Sequence, residues 1–595
     1  MKFPYGICDF YQIITENYFY IDRTDRIRLI ENTGKQLLFL RPRRFGKSLL
    51  LSMLENYYDV ARAGQFETLF GSLAIGQNPT PLRNQYFVMK WDFSTVDPQG
   101  DVHQLKQTLH DHINIAIQNF ARYYQGFLQD EVNLNPTNAI ASFQSLLGVV
   151  RQTPYRLYLL IDEYDNFANE ALMSQQAGER RYQDLLYGEG TLKTLFKAVK
   201  AAAAGAGLDR VFITGVSPIV LSDMTSGYNV AESVYLKPQF YDLCGFSEAE
   251  IEQTLKKIVQ ACQMPEERVA EAMLMMRSFY NGYCFSPGVE TLLYNPTLAL
   301  YFMKNFQETC RYPEQLLDRN LAMDRGKLAY ISRIEGGGQL ILDALNDASP
   351  LVIQRLEDRF GVEELLKTSK DTTFMASLLT YFGILTLAGQ TVFRKTILKV
   401  PNQVVRGLYL EHIQEMLLLK SPHQAEIQSV AEALYGHGEM QPVCDFIESR
   451  YFKIFDNRDY RWSNELTIKT LFLTILYNDI LYLIESELEL DRTYADLILL
   501  RRPDVRQHAL FDLLIEFKYV SLATASLDRD SARNLSLDEL KALAPIQQSL
   551  AEAKAQLERY RQSLAQKYGQ SLRLRQFAVV SVGFERLVWE AIEDP

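Results

Sequence analysis

The stretch from Leu37 to Ser48 constrains the fold more than any other part of the chain. Its apolar residues predict a buried strand, a basic turn follows, and Gly46-Lys47-Ser48 opens an amphipathic segment that predicts a helix. The free N–H groups and partial positive charge of a helix N-terminus bind phosphate. Lys47 can reach the outer phosphates of a nucleotide, and the Ser48 hydroxyl can ligate magnesium. The stretch therefore predicts a strand–loop–helix phosphate site.

The match to the phosphate-loop pattern is imperfect, and this leaves an alternative open. Arg41 stands where the pattern has its first glycine, and Pro42 removes one backbone N–H from the loop. A basic turn before a surface helix would explain the same residues. If the loop does bind a nucleotide, we expect further contacts from Arg43, Arg44, Phe45 and Gly46. The two arginines could equally serve a neighbouring subunit.

A second stretch, Leu157–Asp165, favours the nucleotide site. An apolar strand ends in two adjacent carboxylates, Asp162 and Glu163. An ATPase needs such a pair beside its phosphate loop, because Asp162 can hold hydrated Mg²⁺ and Glu163 can polarise the attacking water. The alternative is a buried strand with a solvated acidic end. The two stretches together, in this order, predict an NTP-binding fold.

A further buried strand is predicted at Arg210–Gly215, and Thr214 stands at its end. Many ATPases place a polar sensor of the γ-phosphate at such a position, and a simple strand-ending turn is the alternative. Because strands alternate with helices through this region, we predict a mostly parallel sheet with its ligand at the carboxyl ends of the strands.

Composition limits what the chain can be. Its 595 residues are too many for one hydrophobic core, so we expect at least three domains. No apolar run reaches the roughly 20 residues needed to cross a bilayer, and the N-terminus lacks the apolar core of a signal peptide. The six cysteines are scattered, which suggests a reducing, cytoplasmic location and no structural zinc. The net charge of −11 means that nucleic-acid binding would need a local patch.

The middle of the chain changes from an alternating to a helical pattern. Residues 246–283 are predicted to be helical and could form a lid over the nucleotide, with Ser247 capping a helix and Glu250 three residues later. Residues 290–370 are predicted to be helical as well. A helix that starts at Phe374 then leads into a strand pair (383–388 and 392–400) with Gly389 at the turn, which suggests a winged-helix element.

A second chemical centre is predicted near the C-terminus, after a long helix expected over Glu465–Leu488. Two apolar strands flank a short loop, and a hairpin symmetric about residue 506 would place Asp496 opposite Glu516. Lys518 lies two residues beyond Glu516 and so points to the same face of its strand. The two carboxylates would bind Mg²⁺, and Lys518 would orient the attacking hydroxide. The alternative is an edge hairpin with charged ends.

Three other residues could support this centre. Gln556 and Tyr560 lie four apart on one face of a predicted helix, where they could contact a nucleic-acid backbone and brace the metal site. Glu465 could support the metal, or could simply complement the dipole of its helix.

These residues together resemble a known family. The stretch from Arg41 to Ser48 is similar to the signature of bacterial and archaeal AAA-ATPase-like proteins that carry a C-terminal PD-(D/E)XK nuclease domain. The Asp496…Glu516-Phe517-Lys518 pattern resembles the nuclease motif, and Gln556-x-x-x-Tyr560 resembles the helix motif of RecB-like members. Further similar motifs are Pro4-Tyr5-Gly6, Tyr20-Ile21-Asp22-Arg23-Thr24, Trp91-Asp92-Phe93-Ser94, Asp162-Glu163-Tyr164-Asp165 and Tyr280-Asn281-Gly282-Tyr283.

The resemblance implies an α/β architecture in three parts: a P-loop NTPase domain of AAA or STAND type with a helical lid (1–285), a helical, winged-helix-like connector (286–450) and a restriction-endonuclease-like α/β domain (451–595). It implies an ATP-binding and ATP-hydrolysing protein coupled to a Mg²⁺-dependent nuclease. The alternative is an ATP-driven switch or signalling ATPase whose nuclease-like domain is inactive and binds nucleic acid or a protein. ATP, Mg²⁺ and DNA or RNA are the expected ligands, no membrane is expected, and self-association stays open.

Overall fold

The computed structural model describes residues 1–96, 102–166, 191–219, 230–316, 325–346, 349–358, 360, 371–417, 424–455, 465–485, 489–490, 493–494, 496–568 and 572–592. In these ranges no helix combines the length and the apolar character needed to cross a membrane.

The first sheet consists, within the described residues, of five parallel strands in the order β2-β3-β4-β1-β5. Its strands read as nearly continuous apolar runs because both faces of a parallel sheet are covered. The predicted α/β fold with a parallel sheet is confirmed. The strands are β1 (Gln36–Leu40), β2 (Tyr86–Asp92), β3 (Arg156–Asp162), β4 (Leu208–Gly215) and β5 (Glu232–Ser233).

The helix predicted after the phosphate loop is present and runs over Lys47–Tyr58. Short helices follow it before β2. The remaining helices here are Phe10–Thr15, Ile27–Thr33, Phe66–Phe70, Ala74–Gln77, Val102–Tyr123, Ala139–Val150 and Thr191–Ala203.

Two helices, Glu248–Ala261 and Glu267–Tyr280, lie in the segment predicted as a lid, and a third helix beyond it, Pro296–Thr309, packs against both. These three helices are called the lid below. The first begins with the predicted capping box, because the Ser247 hydroxyl accepts from the Glu250 N–H while the Glu250 carboxylate accepts from the Ser247 N–H. Cys262 and Cys310 form a disulfide that joins the ends of the first and third helices. The scattered spacing that we interpreted as a reducing environment gave no indication of this pair.

The middle part contains the helices Arg325–Arg333, Gly337–Asp343 and Thr372–Tyr381, and a small antiparallel sheet in the order β6-β8-β7. Its strands are β6 (Leu351–Ile353), β7 (Thr386–Gln390) and β8 (Thr396–Lys399). Two predictions were wrong here. The segment 290–370 was predicted to be helical but contains β6. Gly389 lies within β7 at a register shift, and the turn lies further on, between Gln390 and Thr396.

A helical stretch connects this sheet to the last part of the chain. It consists of the α-helices Gln403–Leu417, Gln424–His437, Gln441–Phe446 and Phe452–Phe455, with a π-helical turn over Ile447–Tyr451.

The C-terminal sheet has the order β15-β14-β13-β12-β9. Strands β13 and β14 are parallel, because the long helix Ala544–Tyr568 crosses between them, and the other neighbours are antiparallel. The strands are β9 (Tyr482–Glu485), β12 (Leu497–Arg501), β13 (Asp512–Val520), β14 (Leu574–Val582) and β15 (Arg586–Ile592), with the short pair β10 (Glu489–Leu490) and β11 (Thr493–Tyr494) and the helices Glu465–Leu476, Arg529–Asn534 and Leu537–Lys541.

The long helix predicted over Glu465–Leu488 was wrong in its second half. The helix ends at Leu476, and Asn478 then accepts hydrogen bonds from the N–H groups of Ile480 and Leu481 in a turn. The apolar residues beyond this turn form β9, which pairs with β12. Residues 486–488 lie outside the described residues.

The buried hydrophobic clusters extend across the predicted domain boundaries. One cluster joins lid residues such as Met276 and Phe302 to Ile498 and Leu514 of the C-terminal sheet. The division at residues 285 and 450 therefore stays a prediction.

Candidate functional site

The phosphate loop connects β1 to the helix Lys47–Tyr58. Gly46 precedes the helix with φ 93°, and Arg44 has φ 68°. Left-handed backbone is costly for a residue that carries a Cβ, so Arg44 holds a conformation that the surrounding structure must enforce. Part of that support comes from the Thr297 hydroxyl, which donates to the Arg44 carbonyl at 3.0 Å. The loop therefore has the form predicted from the sequence.

Lys47 lies buried under this loop. Its Nζ donates to the carbonyls of Arg41 and Pro42, each at 3.1 Å. Burial lowers the pKa of Lys47, and the nearby carboxylates Glu163 and Asp162 oppose that shift. A buried ammonium that rests on two backbone carbonyls can exchange them for phosphate oxygens, because both are hydrogen-bond acceptors.

Arg41, at the position of the missing first glycine, has a structural role. Its buried guanidinium donates to the carbonyls of Leu40, Tyr235, Phe240 and Tyr241. It also lies over the ring of Phe285, with 4.2 Å between the guanidinium carbon and the ring centroid. Arg41 thus fixes the start of the loop to a distant segment instead of lining the phosphate site.

Two of the predicted loop contacts also have partners in the protein. Phe45 is buried and makes edge-on contacts with the rings of Tyr283 and Phe285. Arg43 donates to the Asn166 side chain at 2.7 Å, which links the loop to the residues just after β3.

Asp162 ends β3 and Thr214 lies near the end of β4, and the two side chains meet because these strands are neighbours in the sheet. The Thr214 hydroxyl donates to Asp162 Oδ1 at 2.6 Å, and the Glu163 N–H donates to the same oxygen at 3.1 Å. Both side chains are buried. A short hydrogen bond to a carboxylate is of the strong, charge-assisted kind, so Thr214 orients Asp162.

Glu163 follows with φ 49°, a left-handed conformation that strains a non-glycine residue. Burial raises the pKa of its carboxyl group, and Asp162 acts in the same direction against Lys47 and Arg43. A carboxylate with a raised pKa is a better base toward water than an exposed one.

Asp165 is a positioning residue that the sequence interpretation missed. Its buried carboxylate accepts hydrogen bonds from the N–H groups of Val216 and Ser217, at 3.0 and 2.7 Å, and from the Ser217 hydroxyl at 2.8 Å. These contacts fasten the end of β3 to the residues just after Thr214. The available signal was its position in the acidic stretch Asp162-Glu163-Tyr164-Asp165.

A cavity of about 300 Å³ adjoins the phosphate loop. Lys47, Ser48 and Glu163 are among its lining residues. Many apolar residues also line it, including members of three separate segments: Pro4–Cys8, Phe19–Ile21 and Leu243–Phe246. A pocket that combines apolar walls with a phosphate loop suits a nucleotide, which carries both an aromatic base and phosphates.

The walls of this cavity are joined by Arg23. Its guanidinium forms a two-point ion pair with Glu250 of the lid, one contact at 2.8 Å, and donates to the Gly245 carbonyl at 3.1 Å. The quoted motifs around Pro4 and Tyr20, to which the sequence gave no role, thus line the pocket or brace it.

The second predicted centre is assembled by β12 and β13. Leu497 pairs with Ile515 and Leu499 with Leu513, so the hairpin is symmetric about residue 506, as expected. Asp496 and Glu516 therefore face each other: the Phe517 N–H donates to Asp496 Oδ2 at 2.9 Å, and the Asp496 N–H donates to Glu516 Oε2 at 3.4 Å.

Lys518 completes this arrangement. Its Nζ donates to Glu516 Oε1 and to the Phe517 carbonyl, both at 2.9 Å, and lies 3.9 Å from Glu465 Oε1. Burial raises the pKa of Glu516, and the charge of Asp496 adds to this effect while Lys518 opposes it. Two carboxylates that disfavour joint ionisation attract a cation, because the cation removes their repulsion.

Gln556 and Tyr560, the two residues of the long helix Ala544–Tyr568 that were predicted to support this centre, differ in their surroundings. Tyr560 is buried in the core between the long helix and the sheet. Gln556 Oε1 is buried and has no hydrogen-bond partner among the described residues. Within the described residues, no group of three or more His, Cys, Asp or Glu side chains is placed to hold a metal ion. The metal and nucleic-acid roles of all these residues stay predictions.

Comparison with known proteins gives relatives for parts of the chain. A protein of Azotobacter chroococcum mcd 1, described as an uncharacterized protein in the vnfD 5′ region, is 26% identical over 316 residues. The match covers 51% of this chain, which spans about half (52%) of that relative's length.

Two archaeal structures also align. Aeropyrum pernix Orc1, solved in complex with DNA, is 11% identical and aligns over 68% of this chain and 98% of its own. Pyrobaculum aerophilum Cdc6p is 12% identical and aligns over 69% and 93%. The TM-score is 0.24 in both cases.

The family model described as AAA-ATPase_like, Predicted AAA-ATPase, matches residues 4–225. These residues contain the phosphate loop, Asp162, Glu163 and Thr214, together with four of the five strands of the parallel sheet. This N-terminal part of the chain is therefore similar to the predicted AAA-ATPase family.

Proposed function

We propose that this chain binds and hydrolyses ATP at the first sheet, and that the nucleotide state controls a Mg²⁺-dependent nuclease centre at the C-terminal sheet. The observation that carries the second half is the register of β12 and β13, which sets Asp496 opposite Glu516 with Lys518 bonded to Glu516. The match of residues 4–225 to the AAA-ATPase family model supports the first half.

At the first centre each residue has one task. Lys47 exchanges the carbonyls of its own loop for phosphate oxygens, and the helix N-terminus behind it adds N–H donors. Thr214 holds Asp162 in place, and Glu163 polarises the attacking water. Arg43 and Arg44 lie on the same loop and add positive charge near the phosphates.

Both centres present oxygen ligands of the kind Mg²⁺ prefers. Ser48 and Asp162 would hold the ion at the first centre, and Asp496 and Glu516 at the second. Bound Mg²⁺ supplies positive charge that stabilises phosphoryl oxygens and lowers the pKa of a coordinated water. Two carboxylates suffice for this ion, because it usually keeps several of its waters. Lys518 would orient the attacking water, and Gln556 would contact the nucleic-acid backbone. Tyr560 is buried, so its predicted contact with nucleic acid is not part of the proposal.

The alternative is an ATP-driven switch whose C-terminal sheet binds nucleic acid or a protein without cutting. It is favoured by the absence, within the described residues, of a third acidic or imidazole ligand beside Asp496 and Glu516.

One set of assays distinguishes the ATP-controlled nuclease from the ATP-driven switch. ATP hydrolysis and cleavage of single- and double-stranded DNA and RNA are measured with Mg²⁺, with and without ATP, for wild type, Lys47→Ala and Glu516→Gln. We expect Lys47→Ala to abolish ATP hydrolysis and alter cleavage, and Glu516→Gln to abolish cleavage while ATP hydrolysis continues. The matched controls are Lys257→Ala and Glu552→Gln, because both side chains are exposed on helices. Cleavage that survives Glu516→Gln would exclude the nuclease centre, and ATP turnover without any cleavage would favour the switch.

A further inference from the structure

The hairpin between β7 and β8 presents two large apolar side chains to solvent. Val392 is 93% exposed and Phe393 is 83% exposed. The turn that carries them is fixed by the Thr391 N–H, which donates to the Lys395 carbonyl at 2.9 Å, and by the Arg394 N–H, which donates to the Thr391 carbonyl at 2.8 Å. The Thr391 hydroxyl also accepts from the Lys395 N–H at 3.1 Å. An ordered turn therefore keeps the side chains of Val392 and Phe393 exposed to solvent.

The charged residues of the hairpin that carries this tip are all cationic. Between Asp371 and Glu411 the sequence contains no Asp or Glu, although the whole chain carries a net charge of −11. Arg394 and Lys395 follow the apolar pair directly. Arg355 is exposed two residues after Ile353, the residue of β6 that pairs with Thr396 at the tip end of β8. Among the described residues none of these three cations forms an ion pair, so the hairpin tip itself is basic, although Glu357 and Asp358 follow Arg355.

The helix of this element is not available to a partner. In a helix-turn-helix protein the second helix enters the major groove of DNA. Here Thr372–Tyr381 buries Phe374, Met375, Ala376, Ser377, Leu378, Leu379 and Tyr381. Its side chains therefore cannot reach the edges of base pairs, and the hairpin tip is the accessible part of the element.

We propose that the hairpin tip is a docking site for duplex DNA, in which Val392 and Phe393 wedge between base pairs at the minor groove while Arg394, Lys395 and Arg355 contact phosphates. Apolar side chains that insert at a base step, flanked by cations, are the means by which minor-groove proteins kink DNA. Base-specific recognition is not expected, because no polar side chain reads a base edge here. The tip supplies affinity and local bending.

This inference rests on the proposed function in one respect. An anionic membrane surface would also attract a cationic apolar tip, but two side chains give only a shallow insertion. Duplex DNA is favoured because the same chain carries the Asp496–Glu516 pair proposed to cut a phosphodiester.

Binding by the full-length protein tests the proposal. The probe is a fluorescent DNA duplex of about 30 base pairs in EDTA, so that cleavage plays no part, titrated at several salt concentrations. We expect Val392→Ser/Phe393→Ser to weaken binding about tenfold with an unchanged salt dependence. Arg394→Gln/Lys395→Gln should instead lower the slope of log K against log salt by about 2, since each phosphate contact contributes about 0.9. Ile115→Ser is the control, because Ile115 is exposed on the helix Val102–Tyr123.

The proposal would be overturned by unchanged duplex binding in both double variants, or by an equal loss in Ile115→Ser. Binding of RNA duplex as tight as DNA duplex would overturn the choice of DNA. Loss of binding to vesicles of anionic phospholipid, with duplex binding intact, would assign the tip to a membrane surface instead. Cleavage activity that fails to appear while tip-dependent duplex binding persists would contradict the nuclease but not this site.

Discussion

The hydrogen bond between Thr214 and Asp162 is the sharpest test of the nucleotide site at the scale of single residues. It joins the end of β4 to the carboxylate proposed to hold Mg²⁺. A hydrogen bond to a charged group contributes about 1.5–3 kcal/mol. If that contribution applies in the transition state, we expect Thr214→Val to lower kcat for ATP hydrolysis by roughly 10- to 100-fold. ATP affinity should change little, since Thr214 is not expected to hold the base or ribose.

Thr214→Ser is the matched control, because it keeps the hydroxyl and removes only a methyl group. Steady-state ATP hydrolysis and equilibrium binding of a fluorescent ATP analogue measure the two effects. Equal losses of kcat in Thr214→Val and Thr214→Ser would indicate a packing role and contradict the orienting role.

Single residues also show where sequence reasoning succeeds. The pairing of Asp496 with Glu516 was predictable from the sequence. Both residues lie ten positions from residue 506, and the hairpin is symmetric about that residue. The roles of Arg41 and Asp165 could not be found in this way. Arg41 donates to a carbonyl 194 residues away, and Asp165 binds N–H groups about 50 residues away. Such partners depend on how strands are ordered in the sheet, which local patterns do not contain.

At the scale of elements, the phosphate loop packs against the middle part of the chain. Gly383 has φ 78°, and a Cβ added there would lie 2.8 Å from Pro42 of the loop. We expect Gly383→Ala to weaken ATP binding several-fold, because the new methyl group displaces the loop. It should also cost about 1–2 kcal/mol of folding free energy for the left-handed backbone.

Gly389 provides a control within the same element. It also has a positive φ, 122°, but a Cβ there would meet nothing within 4 Å. Gly389→Ala should therefore share the backbone cost, seen in thermal unfolding, without any loss of ATP affinity. Equal ATP affinities in the two variants would show that the contact with Pro42 does not position the loop.

The elements that sequence reasoning placed wrongly have local sequences that are compatible with two structures. The residues beyond Leu476 form an apolar run, and an apolar run is compatible with a helix or with a fully buried strand. The presence of β12 as a partner decides for the strand, and it comes later in the chain. Gly389 was taken as a turn residue, although a glycine with positive φ also serves a bulge within a strand. The parallel sheet was predictable because helices lie between β1 and β2, between β2 and β3, and between β3 and β4.

At the scale of the whole molecule, Arg502 joins the C-terminal sheet to the lid. Its buried guanidinium donates to the carbonyls of Pro313 and Glu314, at 2.8 and 3.0 Å, just beyond the lid helix Pro296–Thr309. It also donates to the carbonyl of Asp479 and pairs with Asp504. The other end of the same lid helix carries Thr297, which holds the phosphate loop. One helix of about 20 Å thus connects the phosphate loop to the C-terminal sheet, which carries the second proposed centre.

This link predicts that Arg502→Met separates the two activities. Removing the guanidinium leaves buried carbonyls without donors, so we expect a loss of about 3–5 kcal/mol in unfolding free energy. ATP hydrolysis should persist at permissive temperature, because no residue of the first centre is changed, whereas the ATP dependence of cleavage should disappear. Arg506→Met is the control, since Arg506 lies in the same loop and accepts a hydrogen bond from Arg501 through its backbone carbonyl, which the substitution keeps. Thermal unfolding and cleavage with and without ATP measure both effects, and a variant that keeps full ATP dependence would show that the coupling runs through other contacts between the lid and the C-terminal sheet.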